Sequence, residues 1–262
     1  MKARWAAEWD GYAHDTLAAL WQASRVETWA SIPSTNDRAA ELVREGAAPW
    51  TIVVADEQTA GRGRRGAEWH SPAGCGLWMS VVLAHGPASE VLPLVVGTAC
   101  AEAIRSRAPE IAVGIKWPND LLVGGRKVGG ILCERIDHSV VAGIGINVST
   151  PPDGFPAGVR SSATSLDSSG SSELSRSDLA GSIVTALMPR LAQSDPFADV
   201  RDDLAAADVL RGRRIRTEQA GAGTARGIDS SGALLLERDD GSRVRVISGS
   251  VRFADAPARP VP

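Results

Sequence analysis

Three short segments of this chain combine residue types that can do chemistry. The first is Gly61-Arg-Gly-Arg-Arg-Gly66, with Gln58 before it and Trp69 after it. Glycines let backbone N–H groups come close to a ligand and accept positive φ. Arginines bring forked, permanently charged donors suited to phosphate and carboxylate, and Trp69 offers a face on which a base can stack. Together they describe a loop that closes on a phosphorylated, aromatic ligand, although a flexible basic loop or an RNA contact has the same composition. The spacing is neither a Walker phosphate loop nor a dinucleotide fingerprint. The second segment is Lys116-Trp-Pro-Asn-Asp120, followed by Lys127 in Arg-Lys-Val-Gly-Gly130. A lysine at a sheet rim can neutralise charge that develops on a carboxylate or phosphate during transfer. Asp120 can hold a metal or orient a neighbour, and Asn-Asp can also be a plain turn. The third is Gly143-Ile-Gly-Ile-Asn147, where glycines thin a strand and suggest close backbone approach of a ligand.

These segments need elements to hold them. Leu17, Leu20 and Trp21 recur at helical spacing and predict a helix over about 10–24. A short strand is expected at 26–30. Ser34, Thr35 and Asn36 are N-cap types, and Gly46 is a stop, so a helix is expected at about 36–45. The runs 51–55 and 77–84 read as buried strands. Between them, from Asp56 to Gly76, apolar periodicity vanishes, which predicts a loop of the length used for lids and binding loops. A helix at 91–107 follows, with Pro93 tolerated in its first turn. Strands are expected at 113–117, 120–123, 127–134 and 140–148, with Gly124-Gly125 as a hairpin turn. Residues 149–176 read as a surface excursion rich in Ser, Pro and Gly. Helices at about 178–193 and 196–207 come next, with Pro189 expected to end or kink the first. After about 210, four short β-runs (213–218, 224–228, 233–237 and 243–247) alternate with turn signals and suggest a small separate barrel. The order makes the large domain α+β rather than doubly wound.

Composition bounds the possibilities. The chain has 262 residues, enough for one large domain or a large and a small one. Lys plus Arg total 28 against 31 Asp plus Glu, which argues against wholesale binding to nucleic acid or an anionic membrane. There is no apolar stretch long enough for a membrane span, and residues 1–10 lack the apolar core of a secretion signal. Cys75, Cys100 and Cys133 form neither a disulfide framework nor a zinc site, as in a cytosolic protein with reduced thiols. Only three lysines occur, which singles out Lys116 and Lys127 for inspection.

In this order the segments resemble the biotin–protein ligase family, also called biotin–[carboxylase carrier protein] ligases. The likeness runs from about 26 to 255 and rests on Ser34-Thr-Asn36, Gln58, the 61–66 loop with Trp69, Lys116 to Asp120, Lys127 in its Gly-Gly-Ile-Leu context, and Gly143 to Asn147. It implies a class II aminoacyl-tRNA synthetase-like, biotin–lipoate ligase catalytic domain at 1–208, with a mixed sheet and flanking helices. A Src-homology-3-like barrel at 209–255 and a disordered tail at 256–262 would follow. The family forms biotinyl-5′-AMP from biotin and Mg-ATP, then passes biotin to a lysine of a carboxylase carrier domain. By the same resemblance, Ser34, Thr35, Asn36 and Gln58 hold the ureido ring and valeryl arm. Arg62, Gly63 and Arg64 close over biotin and the adenylate, Arg65 adds to the nucleotide site, and Trp69 stacks on adenine. Lys127, with Arg64, carries catalysis by holding the carboxylate and the α-phosphate. Asn119, Asp120 and Asn147 lie around the phosphates and magnesium, with Asp120 the candidate metal ligand. No protein nucleophile is needed, since the target amine attacks the mixed anhydride directly.

Some relatives carry an N-terminal winged helix-turn-helix and act as repressors, but too few residues precede Val26 for such a domain. The expectation is a monofunctional cytoplasmic ligase, monomer or weak homodimer, without specific DNA binding. Rival readings are a lipoate or octanoate ligase on the same fold, a regulatory adenylate-binding protein, and an RNA-binding module built on the Gly/Arg loop and the barrel.

Overall fold

In chain order the elements of the computed structural model are β1 (Arg4–Trp5), β2 (Glu8–Trp9), β3 (Tyr12–Ala13), α1 (His14–Leu20), β4 (Arg25–Ser31), α2 (Thr35–Arg44), β5 (Thr51–Ala55), β6 (Gly76–Leu83), α3 (Leu92–Arg107), β7 (Val113–Lys116), β8 (Asp120–Val123), β9 (Arg126–Ile136), β10 (Ser139–Asn147), α4 (Arg176–Leu191), α5 (Pro196–Ala207), β11 (Arg214–Thr217), β12 (Gly221–Ile228), β13 (Leu234–Glu237), β14 (Arg243–Val246) and β15 (Val251–Phe253). The structure describes residues 3–84, 91–171 and 174–254; the tail expected to be disordered at 256–262 lies outside them.

An eight-stranded mixed sheet, in the order β1-β4-β5-β6-β10-β9-β8-β7, carries the large domain. Only the β4–β5 pair is parallel; every other pair is antiparallel. The central strands are buried on both sides, which is why their sequences read as continuous apolar runs rather than alternating ones. Ile52 and Val54 of β5 face the main core with Leu17, Leu92 and Leu179 from the helices α1, α3 and α4. Val53 faces the other way, into a smaller cluster with Ala39 and Leu42 of α2, Val82 and Val141.

That second face changes character along its length. Beneath the body of α2 it carries valines. Beyond them the same alternation presents Ser80 of β6, then Gly143 and Gly145 of β10. Small residues at 80, 143 and 145 lower the sheet surface there to a floor, beside Trp78 of β6, which pairs with Gly145 on the same face.

The N-terminal expectation needs correction. The N-terminal helix is only His14–Leu20, preceded by the β2–β3 hairpin. The cause is local: Asp10 and Gly11 have φ of 51° and 83° and make a turn. The Asp10 carboxylate instead accepts from Ser177 N at 2.8 Å, at the start of α4. Helix α4 ends at Leu191, two residues after Pro189, close to the end expected for it. The 56–76 segment is the long loop expected, and it folds back on itself, with Gly63 N donating to Ala67 O at 2.7 Å and Trp69 N to Gly61 O at 2.9 Å. Its tip is a 3-10 turn at Arg64–Gly66.

The C-terminal unit has five antiparallel strands, in the order β14-β13-β12-β11-β15. The fifth, β15, follows Gly249 and is too short to show in the sequence pattern. This unit is tied to the large domain beside the Lys116–Asp120 turn. Trp117 Nε1 donates to Gly232 O at 2.9 Å, and Val209 N donates to Ile115 O at 3.1 Å.

Candidate active site

Helix α2 starts at the floor. Ser34 caps it, its hydroxyl accepting from Asp37 N, and this places Thr35 and Asn36 in the first turn, both buried. Gln58 braces them: its Oε1 accepts from Thr35 N at 2.8 Å and Thr35 Oγ1 at 3.1 Å, while its Nε2 donates to Ser71 Oγ at 2.9 Å. Ser80 Oγ lies 2.8 Å from Thr35 Oγ1 and 2.6 Å from Asn36 Oδ1. Asn36 Nδ2 donates to Glu134 Oε2 at 2.7 Å. The result is a chain of amides and hydroxyls whose orientations are mutually fixed.

The glycines explain how these side chains fit. A Cβ on Gly143 would stand 2.2 Å from Asn36 Oδ1, and one on Gly145 would stand 2.6 Å from Trp69 Nε1. A Cβ on Gly130 would stand 3.2 Å from Lys127 Nζ. The thinned strands thus first serve the chain's own side chains, which lie flat on the sheet. Trp69 Nε1 is buried with no hydrogen-bond partner among the described residues, so a donor is available at the floor.

Each loop arginine has its own anchor. Arg62 forks onto Glu134 at 3.0 and 3.1 Å and reaches Asp37 Oδ1 at 2.5 Å. Glu134 and Asp37 together hold Arg62 firmly charged. Arg64, half-buried, donates to Asn119 Oδ1 at 3.3 Å. Burial pulls its pKa down, Arg65 adds to that and Asp120 opposes it. Arg65 donates to Glu218 Oε2 of the C-terminal unit at 2.5 Å.

The two lysines converge on one carboxylate. Lys116 closes β7, Asp120 opens β8, and the tight turn between them brings both ends to the sheet rim. Lys127 Nζ lies 2.6 Å from Asp120 Oδ1, and Lys116 Nζ lies 3.9 Å from Asp120 Oδ2. Lys127 also sits over the Trp69 ring, 5.1 Å from its centroid. Burial lowers the Lys116 pKa, with Asp120 opposing and Lys127 and Arg252 adding. Among the described residues no cluster of three or more His, Cys, Asp or Glu could hold a metal ion. Asp120 is the one carboxylate at this point, and Lys127 already occupies it.

A cavity of about 230 Å³ gathers almost all the residues singled out in the sequence. Ser34, Thr35, Asn36, Gln58, Arg62, Gly63, Arg64, Arg65, Trp69, Asn119, Asp120 and Lys127 all line it, as does Lys116. Asn147 does not. Its amide is buried and donates to Thr164 O at 3.0 Å, steadying the segment whose Ser162 and Thr164 hydrogen-bond the Lys127 backbone. Sequence reasoning missed Ser80 and Glu134, which hold Asn36 from behind, and the wall formed by Gly249, Ser250 and Val251. Ser80 could have been noticed as the one hydroxyl inside the apolar run Leu77-Trp-Met-Ser-Val-Val-Leu83. For Glu134 and the wall no local signal exists, because long-range packing places them.

Residues 29–150 match the biotin/lipoate A/B protein ligase family, and 212–253 match the biotin protein ligase C-terminal domain. The fold is therefore a biotin/lipoate ligase catalytic domain followed by that smaller domain. The biotin–[acetyl-CoA-carboxylase] ligase of Paracoccus denitrificans is 35% identical over 227 residues, covering 80% of this chain and 93% of that protein. That of Mycobacterium tuberculosis is 36% identical over 211 residues, covering 75% and 76%. The biotin protein ligase of Aquifex aeolicus, solved in complex with biotin and ATP, superposes with a TM-score of 0.77 at 28% identity, covering 88% of this chain and 100% of that one. The chain belongs to the biotin protein ligase family.

Proposed function

We infer that this chain is a biotin–protein ligase that activates biotin as biotinyl-5′-AMP with Mg-ATP and transfers it to a lysine of a biotin carboxyl carrier domain. One observation carries the reading beyond family membership. A single cavity joins an amide and hydroxyl rail (Thr35, Asn36, Gln58) to a cationic end (Lys127, Lys116, Arg64). A ureido ring needs paired donors and acceptors, and a rail built for them discriminates strongly against a head group that lacks them. A dithiolane offers neither, which favours biotin over lipoate or octanoate. An RNA-binding role is disfavoured, since Arg62 and Arg65 are folded onto Glu134, Asp37 and Glu218.

In this reading Ser34, Thr35, Asn36 and Gln58 orient the ring, with Ser80 and Glu134 bracing them. Lys127 neutralises the biotin carboxylate and the α-phosphate as they approach, a charge interaction that grows toward the transition state. Arg62, Gly63 and Arg64 cover the adenylate and exclude water, which the anhydride requires. Trp69 supplies the aromatic face for adenine, while Arg65, Asn119 and Asp120 lie nearest the nucleotide. Asn147 supports Lys127 indirectly. Magnesium would enter with ATP. It would supply charge neutralisation on the phosphates, and Asp120, which Lys127 engages at 2.6 Å, is the protein carboxylate that would have to exchange that partner to hold it.

We take 1–208 as catalytic and 209–255 as the accessory domain. We place the reaction in the cytoplasm, where ATP is available and the free thiols Cys75, Cys100 and Cys133 stay reduced. A monomer or weak homodimer without specific DNA binding is expected; a footprint on operator DNA would contradict this. The deciding experiment is biotin-dependent ATP–pyrophosphate exchange, with lipoate and octanoate compared, followed by transfer to a carrier domain. Exchange with lipoate but not biotin would reverse the assignment.

A further inference from the structure

We propose that Glu218, on the C-terminal domain, is a positioning residue for the arginine loop: through Arg65 it fastens the loop tip to that domain and sets how long the acyl-adenylate is retained. The proposal rests on the adenylating function inferred above.

The loop has anchors on separate parts of the molecule. Arg62 and Arg64 are held within the large domain, by Glu134 with Asp37 and by Asn119. Arg65 alone crosses to the C-terminal domain, where it donates to Glu218 Oε2 at 2.5 Å. Its backbone is left-handed, with φ of 58°, a conformation that a non-glycine residue keeps only when its surroundings hold it. Glu218 is itself held: Ser250 Oγ donates to its Oε1 at 2.7 Å. Arg65 and Ser250 together keep this carboxyl below the usual carboxylate range. Ser250 lies in the 249–251 turn that walls the cavity, and a Cβ on Gly249 would stand 3.8 Å from Arg65 Nη2. One short turn therefore forms the wall, aims Glu218 and meets the loop tip. Because Trp117 pins the C-terminal domain beside the lysines, Glu218 offers a fixed point to which a loop can be tied.

The pair is exposed, with side chains 53% and 55% accessible. Its effect should be modest and sensitive to salt. Release of biotinyl-AMP should rise about two- to fivefold on breaking it, the range ordinary for an exposed ion pair.

The test uses the full chain and compares wild type, Glu218→Gln, Glu218→Asp and Ser250→Ala. The enzyme–adenylate complex is formed with labelled biotin and Mg-ATP, freed of excess substrate, and followed for loss of label at low and high salt. Glu218→Gln should lose adenylate faster at low salt and show a flattened salt dependence, with biotin KM and thermal midpoint unchanged. Glu218→Asp should restore part of the retention, and Ser250→Ala should show a smaller defect. Equal release by wild type and Glu218→Gln at low salt would overturn the proposal. If wild type forms no biotinyl-AMP, the functional reading fails, and trypsin cleavage after Arg64 and Arg65 still tests the tie. Faster cleavage in Glu218→Gln supports it; equal cleavage refutes it.

Discussion

Replacing Lys127 with alanine separates the two contributions this side chain makes. Its ammonium lies 2.6 Å from Asp120 and shares that carboxylate with Lys116, which remains 3.9 Å away after the change. The Lys127 and Asp120 side chains are 34% and 20% exposed. Water screens such a pair, so its loss should cost the fold no more than about 1 kcal/mol. The catalytic loss is larger. A charge aimed at developing negative charge, once removed, costs about 3–4 kcal/mol, or roughly 10²–10³ in rate. The rate should therefore collapse while the fold survives. Part of that loss comes from Asp120, which would then face two anionic substrates with Lys116 and the nearby Arg64 as its remaining counter-charges. Adding Asp120→Asn to Lys127→Ala should recover up to about tenfold, if relieving the repulsion is worth about 1.4 kcal/mol. The assay is biotin-dependent pyrophosphate exchange with kcat and KM resolved, alongside a thermal unfolding curve. Exchange by Lys127→Ala within about tenfold of wild type would refute the argument and transfer the role to Lys116.

Arg64→Gly should still form biotinyl-AMP, because Lys127 and magnesium neutralise the α-phosphate, but should retain it poorly. Biotin would then be incorporated into bystander lysines, for instance on serum albumin; negligible labelling, equal to wild type at matched adenylation, would contradict the lid. Gly143→Ala should raise biotin KM about tenfold or more with little effect on ATP, since its Cβ would stand 2.2 Å from Asn36 Oδ1 and displace the amide; an unchanged KM would show that Asn36 does not read the ring. Partial burial holds the Lys116 ammonium below the ordinary lysine range. Because the shift disfavours the charged form, the ammonium is present below that lowered pKa and is lost as pH rises through it. The alkaline decline in kcat/KM for ATP should set in below the ordinary lysine range, and Lys116→Arg should move it upward; coincident profiles would remove Lys116 from the nucleotide site.

The chemistry-bearing residues were legible because their types are confined to short runs: a glycine–arginine loop, two rare lysines beside Asn119 and Asp120, an N-cap triplet. Strands such as Thr51–Ala55 were equally plain, since burial on both faces leaves a continuous apolar run. What escaped was set by one local turn and by long-range packing. The 10–24 helix was overcalled because the apolar spacing of Leu17, Leu20 and Trp21 hides the Asp10-Gly11 turn, and Asp10 is used by α4, more than 160 residues away. The 56–76 segment reads as a loop, but its fold-back was not legible, because its hydrogen bonds join residues without apolar periodicity. Glycines at 143 and 145 were read as room for a ligand, whereas the side chains that fill that room, Asn36 and Trp69, lie about 70–110 residues earlier in the chain.

That last pairing ties distant positions into one inheritance. Gly143 can vary only as far as residue 36 permits, and Gly145 only as far as residue 69 permits. Substitutions should be accepted in couples: alanine at 143 beside a shorter side chain at 36, or alanine at 145 beside a smaller ring at 69. Across descendants of this chain the two strand positions would drift in step with the helix and the loop, while their immediate neighbours Ile144 and Ile146, which face the opposite core, drift independently of both.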